Sequence, residues 1–273
     1  MGKGEKGMAV SSERVLMSKK NPLAIFLLGS ILPLSFLTSW QILGQFGYIS
    51  TLLFPTPFMI MEAFSNLTAN GELLKHLQIS VGRAILGFVL GGGLGLVFGI
   101  LVGLSKLAEK ALDPSAQMIR MIPHLAVAPL FILWFGIGEE SKILLIAKGA
   151  FFPLYIHTYL GIRNIDNKLF DVARTLEFKG MEKVKLLTIP SAMPSILLGI
   201  RISLGVAWLG LVVAELIAST SGIGYLMSDA RQFNQTPVVF VGIIIFAVIG
   251  KLTDSFVRLF EVRLLRWKDN YKG

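Results

Sequence analysis

Cysteine is absent from the 273 residues, and charged side chains make up only 16% of them, whereas soluble domains carry about 25%. The absence of cysteine excludes disulfides, thiolate zinc sites, cysteine-ligated iron–sulfur clusters and cysteine nucleophiles. The scarcity of charge accompanies a hydrophobic share of 53%. This composition excludes a disordered chain and argues against a soluble enzyme.

The sequence also lacks the motifs of common catalytic sites. It has three histidines, without the spacing of a metal site, and no G-x-S-x-G nucleophile motif. It contains no G-x-x-x-x-G-K-[ST] phosphate-binding loop. We therefore predict no catalytic residue, metal or resident cofactor in this chain. If the protein pumps a solute, the energy must enter from elsewhere.

Long apolar runs are what the sequence has in abundance. A bilayer core of about 30 Å needs roughly 20 mostly apolar residues per helix, and about six runs meet that requirement. The six predicted spans are Leu23–Leu43, Ile79–Leu104, Met118–Ile137, Ile143–Gly161, Ile196–Ala218 and Val238–Val257. The sequence therefore predicts an all-α, polytopic membrane protein with about six transmembrane helices.

The basic residues divide unequally between the segments that join these spans. With the N-terminus inside, twenty of the 26 Lys and Arg residues lie in cytoplasmic segments and three in outer segments. Cytoplasmic loops of membrane proteins carry such an excess. We therefore predict a multi-pass protein with both termini in the cytoplasm, and the net charge of +9 requires no nucleic acid as partner.

The predicted domain organisation is simple. A basic cytoplasmic segment (residues 1–22) precedes one transmembrane domain (residues 23–267), and a short cytoplasmic tail (residues 268–273) follows. The transmembrane domain contains a cytoplasmic loop (residues 162–195), which is shorter than the roughly 50 residues of a small domain. The first span exceeds the roughly 7–15 apolar residues of a signal peptide, so we interpret it as a retained anchor.

The second span carries a glycine at every fourth position. The members of this series are Gly87, Gly91, Gly95, Gly99 and Gly103. Such spacing places the glycines on one helix face and lets another backbone approach closely. We interpret the face as helix packing within the chain, with a dimer contact or a pore lining as the alternatives.

Prolines and charges inside the spans indicate a candidate translocation path. Pro123 and Pro129 interrupt the third span and Pro153 the fourth, so these helices are expected to kink or unwind. Lys148 and Glu215 lie within spans, where a charge at the bilayer centre costs roughly 2.5–3.5 kcal/mol. We predict that Lys148, Glu215, Pro123 and Pro129 line the path. For the two charges, snorkelling or a structural ion pair is the alternative.

The second cytoplasmic loop has the pattern of short amphipathic helices. Its apolar residues recur at three- and four-residue steps, at Leu169, Val172, Ala173, Leu176, Val184 and Leu187. The pattern predicts two helices, hinged at Gly180 and stopped by Pro190 and Pro194. Such helices can lie on lipid head groups or dock into a groove on a partner.

Within this loop, Asp171-Val172-Ala173 is followed by Leu187-Thr188-Ile189-Pro190. These segments resemble the EAA loop of ABC importer permeases, which reads E-A-A, three residues, G, nine residues, then I-x-L-P. Glu177 occupies the family's glycine position, and Gly180 is expected to supply the bend instead. The coupling residues that the resemblance implies are Asp171, Val172, Ala173, Arg174, Thr175, Leu176, Glu177, Gly180 and Pro190.

Other segments are similar to the nitrate/sulfonate/taurine branch of the same family. They are Pro129–Gly138, Thr158–Ile165, Gly199–Arg201, Val213–Glu215, Gly222–Tyr225 and Arg266–Trp267. The resemblance implies a type I ABC importer permease in a bacterial cytoplasmic (inner) membrane. The implied partners are a second permease copy, two ATPase subunits that bind ATP and magnesium, and an external solute-binding protein.

The resemblance also implies what the chain transports and how it is driven. The solute would be a small anion, an aliphatic sulfonate or taurine first and nitrate next. The segment Asp171–Leu187 would dock on the ATPase and carry its movement to the spans. Two alternatives are a passive channel and a membrane-embedded lipid-modifying enzyme, for which the sequence offers only the scattered groups His124, His157 and Glu215.

Overall fold

The computed structural model describes residues 22–265, with side chains from Ser30 onward, and these residues form helices and turns without any strand. The helices are α1 (Pro22–Gln45), α2 (Pro57–Ala69), α3 (Glu72–Leu104), α4 (Lys106–Arg120), a 3-10 turn (Leu125–Val127), α5 (Ala128–Phe135), α6 (Glu139–Arg163), α7 (Asn167–Thr175), α8 (Gly180–Lys183), a π-helical turn (Val184–Thr188), α9 (Ile189–Ala218), α10 (Ile223–Gln232) and α11 (Thr236–Leu264). The predicted all-α class is confirmed. The predicted tail (residues 268–273), the Arg266–Trp267 pair and the N-terminal segment before Pro22 lie outside the described residues.

The chain divides into two compact units. The first comprises residues 1–62 and the second residues 63–273. In the first unit, the predicted span Leu23–Leu43 lies within α1, and the Phe58 N–H donates a hydrogen bond to the side-chain oxygen of Gln41 at 3.0 Å. The second unit contains every candidate site residue described below.

Four helical stretches of the described chain are long and apolar enough to cross a membrane. They are α3, α6, α11 and the stretch of residues 180–218, which contains α9. The segments 106–120 and 125–135 pass the same test only as a pair, bent by 81° at the break between them. The described residues therefore provide four or five of the predicted spans by length and composition.

Helix α6 lies between α3 and α9 at the centre of the second unit. Gly87 and Gly103 of α3 face Ile146 and Ile162 of α6, so these two helices run in the same direction. Because α3 and α6 are parallel, the bent pair between them must return the chain to its starting side. Helix α9 runs the other way, since its Gly199 lies near His157 of α6 and its Gly210 near Ile146.

The third predicted span, Met118–Ile137, is not one straight helix. Helix α4 ends before Pro123, which lies in the break. Pro129 lies in the first turn of α5 and does not interrupt a helix, because the amide donors of a first turn have no partner within the helix. The fourth span is continuous through Pro153, so local unwinding is not found there.

The glycine series of α3 faces α6. A methyl group at Gly91 would overlap the backbone of Ala147, and one at Gly95 would overlap the carbonyl of Phe151. The two backbones are thus in direct contact along several turns. In lipid, where apolar side chains gain little from leaving the bilayer, such close contact is a main source of helix association.

Candidate functional site

The predicted coupling loop begins with a short, capped helix. The Asp166 side chain accepts a hydrogen bond from the Lys168 N–H at 2.9 Å and so caps α7. An ion pair between Asp171 and Arg174, at 3.0 Å, lies exposed on the same helix. The Thr175 hydroxyl donates to the Asp171 carbonyl at 3.2 Å. Three of the predicted coupling residues therefore interact with one another.

The chain reverses directly after α7, at Glu177. This residue adopts a left-handed conformation with φ 57°. The Phe178 N–H donates to the Ala173 carbonyl at 2.9 Å and the Glu177 N–H to the Arg174 carbonyl at 3.0 Å, which is the Schellman pattern that usually has glycine at this position. The expectation that Gly180 replaces the family's glycine was wrong in part. Glu177 makes the turn itself, and Gly180, with φ 47°, makes a second one.

The two prolines that follow do not stop the second short helix. Pro190 lies in the first turn of α9 and Pro194 lies inside α9, and residues 180–218 form one continuous helical stretch. The π-helical turn Val184–Thr188 directly precedes Pro190. A wider turn accommodates a ring that would clash with the carbonyl four residues earlier. The predicted stop is therefore replaced by a direct connection into a membrane-crossing helix.

Helix α7 presents apolar side chains on its surface. Leu169 and Val172 of α7 are 40% and 54% exposed, and Leu176 at its C-terminal cap is 57% exposed, whereas Ala173 is buried. Phe170 of α7 contacts the next segment of the loop, since the Lys183 ammonium lies 4.7 Å from the centre of its ring. The loop thus packs one face on itself and leaves an apolar face open, which is a surface suited to docking.

A cavity of about 360 Å³ lies where the break between α4 and α5 faces α6 and α9. Of the predicted path residues, Lys148 and Pro123 line it, whereas Glu215 and Pro129 do not. The Lys148 ammonium donates to the Ile122 carbonyl at 3.3 Å, beside the break. The structure therefore brings two of the four residues together and separates the other two.

Glu215 lies in a buried polar cluster near the start of α3 and the end of α9. Its carboxylate accepts hydrogen bonds from the Arg83 guanidinium, the Ser80 hydroxyl and the Gly224 N–H, each at 2.8 Å. Arg83 also forms an ion pair with Glu139 of α6. These contacts correspond to the structural ion-pair alternative for Glu215.

Comparison with known proteins identifies the chain. Residues 94–266 match the family described as binding-protein-dependent transport system inner membrane component. This chain belongs to that family. The putative aliphatic sulfonates transport permease SsuC of Bacillus subtilis (strain 168) is 61% identical over 90% of this chain and 89% of its own length. The protein of the same name from Escherichia coli (strain K12) is 48% identical over 88% of this chain and 91% of its own length.

Two further similarities agree with this assignment. The taurine transport system permease TauC of Escherichia coli (strain K12) is 35% identical over 85% of this chain and 86% of its own length. A chain of the MetNI methionine ABC transporter, solved in inward-facing conformations, superposes with a TM-score of 0.51 at 18% identity, covering 66% of this chain and 93% of that one. The likeness to MetNI concerns the fold. The resemblance to the sulfonate and taurine branch is confirmed.

Sequence reasoning missed two residues of this inner membrane component. Arg83 lies inside the second span, where a charge requires a partner, and that signal could have identified it. Its partner Glu215 is 132 positions away, and the sequence does not specify such a pairing. His124 was noted only as a scattered histidine, yet both of its ring nitrogens are buried without a hydrogen-bond partner in the described part of the chain.

Proposed function

We propose that this chain is the transmembrane permease subunit of an ATP-driven importer for a small anion, an aliphatic sulfonate or taurine first and nitrate next. The printed names of the relatives support sulfonate and taurine as solutes. Two identical copies would form the permease of a bacterial inner membrane, with both termini in the cytoplasm. An external binding protein would deliver the solute, and separate ATPase subunits would bind ATP and magnesium.

The observation that carries this proposal is the open apolar face of α7, formed by Leu169, Val172 and Leu176. An amphipathic helix of this kind binds by inserting its apolar side chains into a groove. The short capped helix fits a groove on an ATPase subunit, and the exposed pair of Asp171 and Arg174 would lie at the rim of that contact.

The connection after α7 supports the coupling role. Gly180 begins a helical stretch that continues without interruption to Ala218. Helix α9, within this stretch, packs against α6 at the centre of the membrane domain. A displacement of the docked loop would therefore move α9 as a rigid lever, since a continuous helix transmits displacement along its axis.

The test is sulfonate uptake by membrane vesicles that contain the permease, the cognate ATPase and the binding protein. We expect Val172→Asp and Leu176→Asp to abolish uptake and to release the ATPase from the purified complex, because a buried unpaired carboxylate opposes docking. Asn167→Asp, on the opposite side of the same helix and exposed, is the matched control and should retain both. The proposal fails if Val172→Asp and Leu176→Asp leave uptake and ATPase retention intact.

A further inference from the structure

The cavity at the helix break is lined by basic and imidazole groups without a carboxylate among the described residues that line it. These groups are Arg120, His124, Lys148 and His157. Lys148 lies about 14 Å along α6 from Glu139, the first residue of that helix, at a rise of about 1.5 Å per residue. The cavity therefore lies well inside the membrane domain. Uncompensated positive charge at such a depth is costly and favours an anionic occupant.

The ammonium and the guanidinium of this cavity are available to a ligand. The Lys148 ammonium donates one hydrogen bond, to the Ile122 carbonyl at 3.3 Å, and has two further N–H groups. The Arg120 side chain makes no hydrogen bond or ion pair with the described residues. Since an arginine fork and an ammonium are the groups that bind oxyanions, this pair provides the charge for an anionic head group.

His124 adds a fixed polar group to the same wall. Its imidazole lies between the backbones of Gly149 on α6 and Gly210 on α9, where a methyl group on either glycine would come within 3 Å of the ring. Both ring nitrogens are buried and unpartnered within the described chain. A buried polar atom without a partner is costly, so a ligand that supplies one gains affinity.

The remaining lining is apolar and is formed by Phe152, Ile156, Ile202 and Val206 together with prolines. A volume of about 360 Å³ falls within the range of roughly 300–1,000 Å³ for small-molecule sites. The cavity thus combines a cationic end with an apolar wall, which matches a molecule that has an anionic head and a short alkyl chain.

We propose that this cavity is a binding site for the transported organic anion within the membrane, with the sulfonate head group at Lys148, Arg120 and His124 and the alkyl chain against Phe152 and Ile202. The inference rests on the proposed function and deepens it. The permease then holds the solute itself, between the binding protein and the cytoplasm, and contributes to selectivity.

The experiment uses the full-length permease with its ATPase in lipid nanodiscs, without the binding protein, and measures equilibrium binding of radiolabelled butanesulfonate. We expect Lys148→Met and Arg120→Gln each to weaken binding by about tenfold or more, the effect of losing a charge-assisted hydrogen bond. Lys148→Arg should restore most of the affinity. Lys110→Met, which removes a charge from the same helix as Arg120 but outside the cavity, should change affinity less than about twofold.

The chain length of the ligand tests the apolar wall. Each additional buried methylene should tighten binding by about fourfold, so butanesulfonate should bind more tightly than methanesulfonate. In competition, butanesulfonate should displace bound methanesulfonate at a lower concentration than inorganic sulfate does. Equal affinity for sulfate and butanesulfonate would overturn the site as proposed. Unchanged binding in Arg120→Gln, whose side chain has no partner to lose among the described residues, would overturn it as well.

The two proposals fail in different ways. Butanesulfonate uptake by the complete importer, together with no binding to the wild-type nanodisc complex, would refute the membrane site and leave the proposed function standing. Binding to the nanodisc complex that needs Lys148, together with no ATP-dependent uptake, would support the site and refute the importer.

Discussion

The Nη1 atom of Arg83 lies 2.8 Å from the Oε1 atom of Glu215, and the two side chains are 3% and 0% exposed. The Gly222 N–H donates to the His76 ring nearby at 2.9 Å, and the Ile223 N–H donates to the Ser80 hydroxyl, also at 2.9 Å. The cluster therefore joins α3, α6, α9 and the start of α10 at one end of the membrane domain. Its full set of hydrogen bonds is what makes a buried ion pair tolerable.

Glu215→Gln should destabilise the protein by about 2–4 kcal/mol. Both oxygens of the Glu215 carboxylate accept hydrogen bonds from donors on Arg83, Ser80 and Gly224, and the amide NH₂ of glutamine cannot accept. The measurement is unfolding in detergent micelles, followed by intrinsic tryptophan fluorescence. Glu140→Gln is the matched control, because Glu140 is exposed and its side chain has no hydrogen-bond or ion-pair partner among the described residues, and it should cost about 0.5 kcal/mol or less. Equal losses in the two variants would contradict this account of the cluster.

Gly91→Ala should destabilise the protein by about 1–3 kcal/mol or more. The added methyl group would overlap the backbone of Ala147, which cannot rotate away. At Gly93, on the same helix, a methyl group meets nothing within 4 Å, so Gly93→Ala should be neutral or should stabilise α3 by up to about 1 kcal/mol. Both variants are compared with the wild type in the same micelle unfolding assay. The opposite order of stabilities would show that α3 and α6 are not in backbone contact.

Glu177→Gly should stabilise the turn that ends α7. A left-handed conformation costs a residue with a side chain roughly 1–2 kcal/mol, and glycine avoids that cost. The amide of Phe178, which donates to the Ala173 carbonyl, should therefore exchange with deuterium about fivefold more slowly. Hydrogen exchange read by mass spectrometry measures this. Lys179→Gly serves as control, since Lys179 has φ −119°, and its exchange should be unchanged or faster. Faster exchange in Glu177→Gly would contradict the left-handed assignment.

Tyr155 and Asp113 should show energetic coupling. The Tyr155 hydroxyl donates to the Asp113 carboxylate at 2.7 Å, and this contact attaches α4 to α6. Tyr155→Phe and Asp113→Asn, alone and together, form a double-mutant cycle, for which we expect a coupling energy of about 1 kcal/mol or more. Combining Tyr155→Phe with Lys251→Gln on α11 provides the reference, and there the effects should add within about 0.5 kcal/mol. Additivity in the first cycle would show that the hydrogen bond contributes nothing.

Local patterns in the sequence predicted much of this architecture. The apolar runs gave the helices that cross the membrane, because span length and hydropathy depend on residues that are adjacent in the chain. The four-residue steps from Leu169 to Leu176 likewise predicted α7 and its apolar face. The stops at Pro190 and Pro194 were wrong, since a π-helical turn upstream accommodates the ring of Pro190.

The sequence by itself determined that this is a helical membrane protein of the permease family with a short amphipathic loop, since composition, periodicity and motifs are properties of contiguous residues. Only the tertiary structure decided that Glu215 pairs with Arg83, that Lys148 and His124 share a cavity, and that the third crossing bends by 81°. These features depend on how helices separated by tens of residues align when they pack. That alignment follows from close backbone contacts such as Gly91 on Ala147, which arise only once the whole domain is assembled.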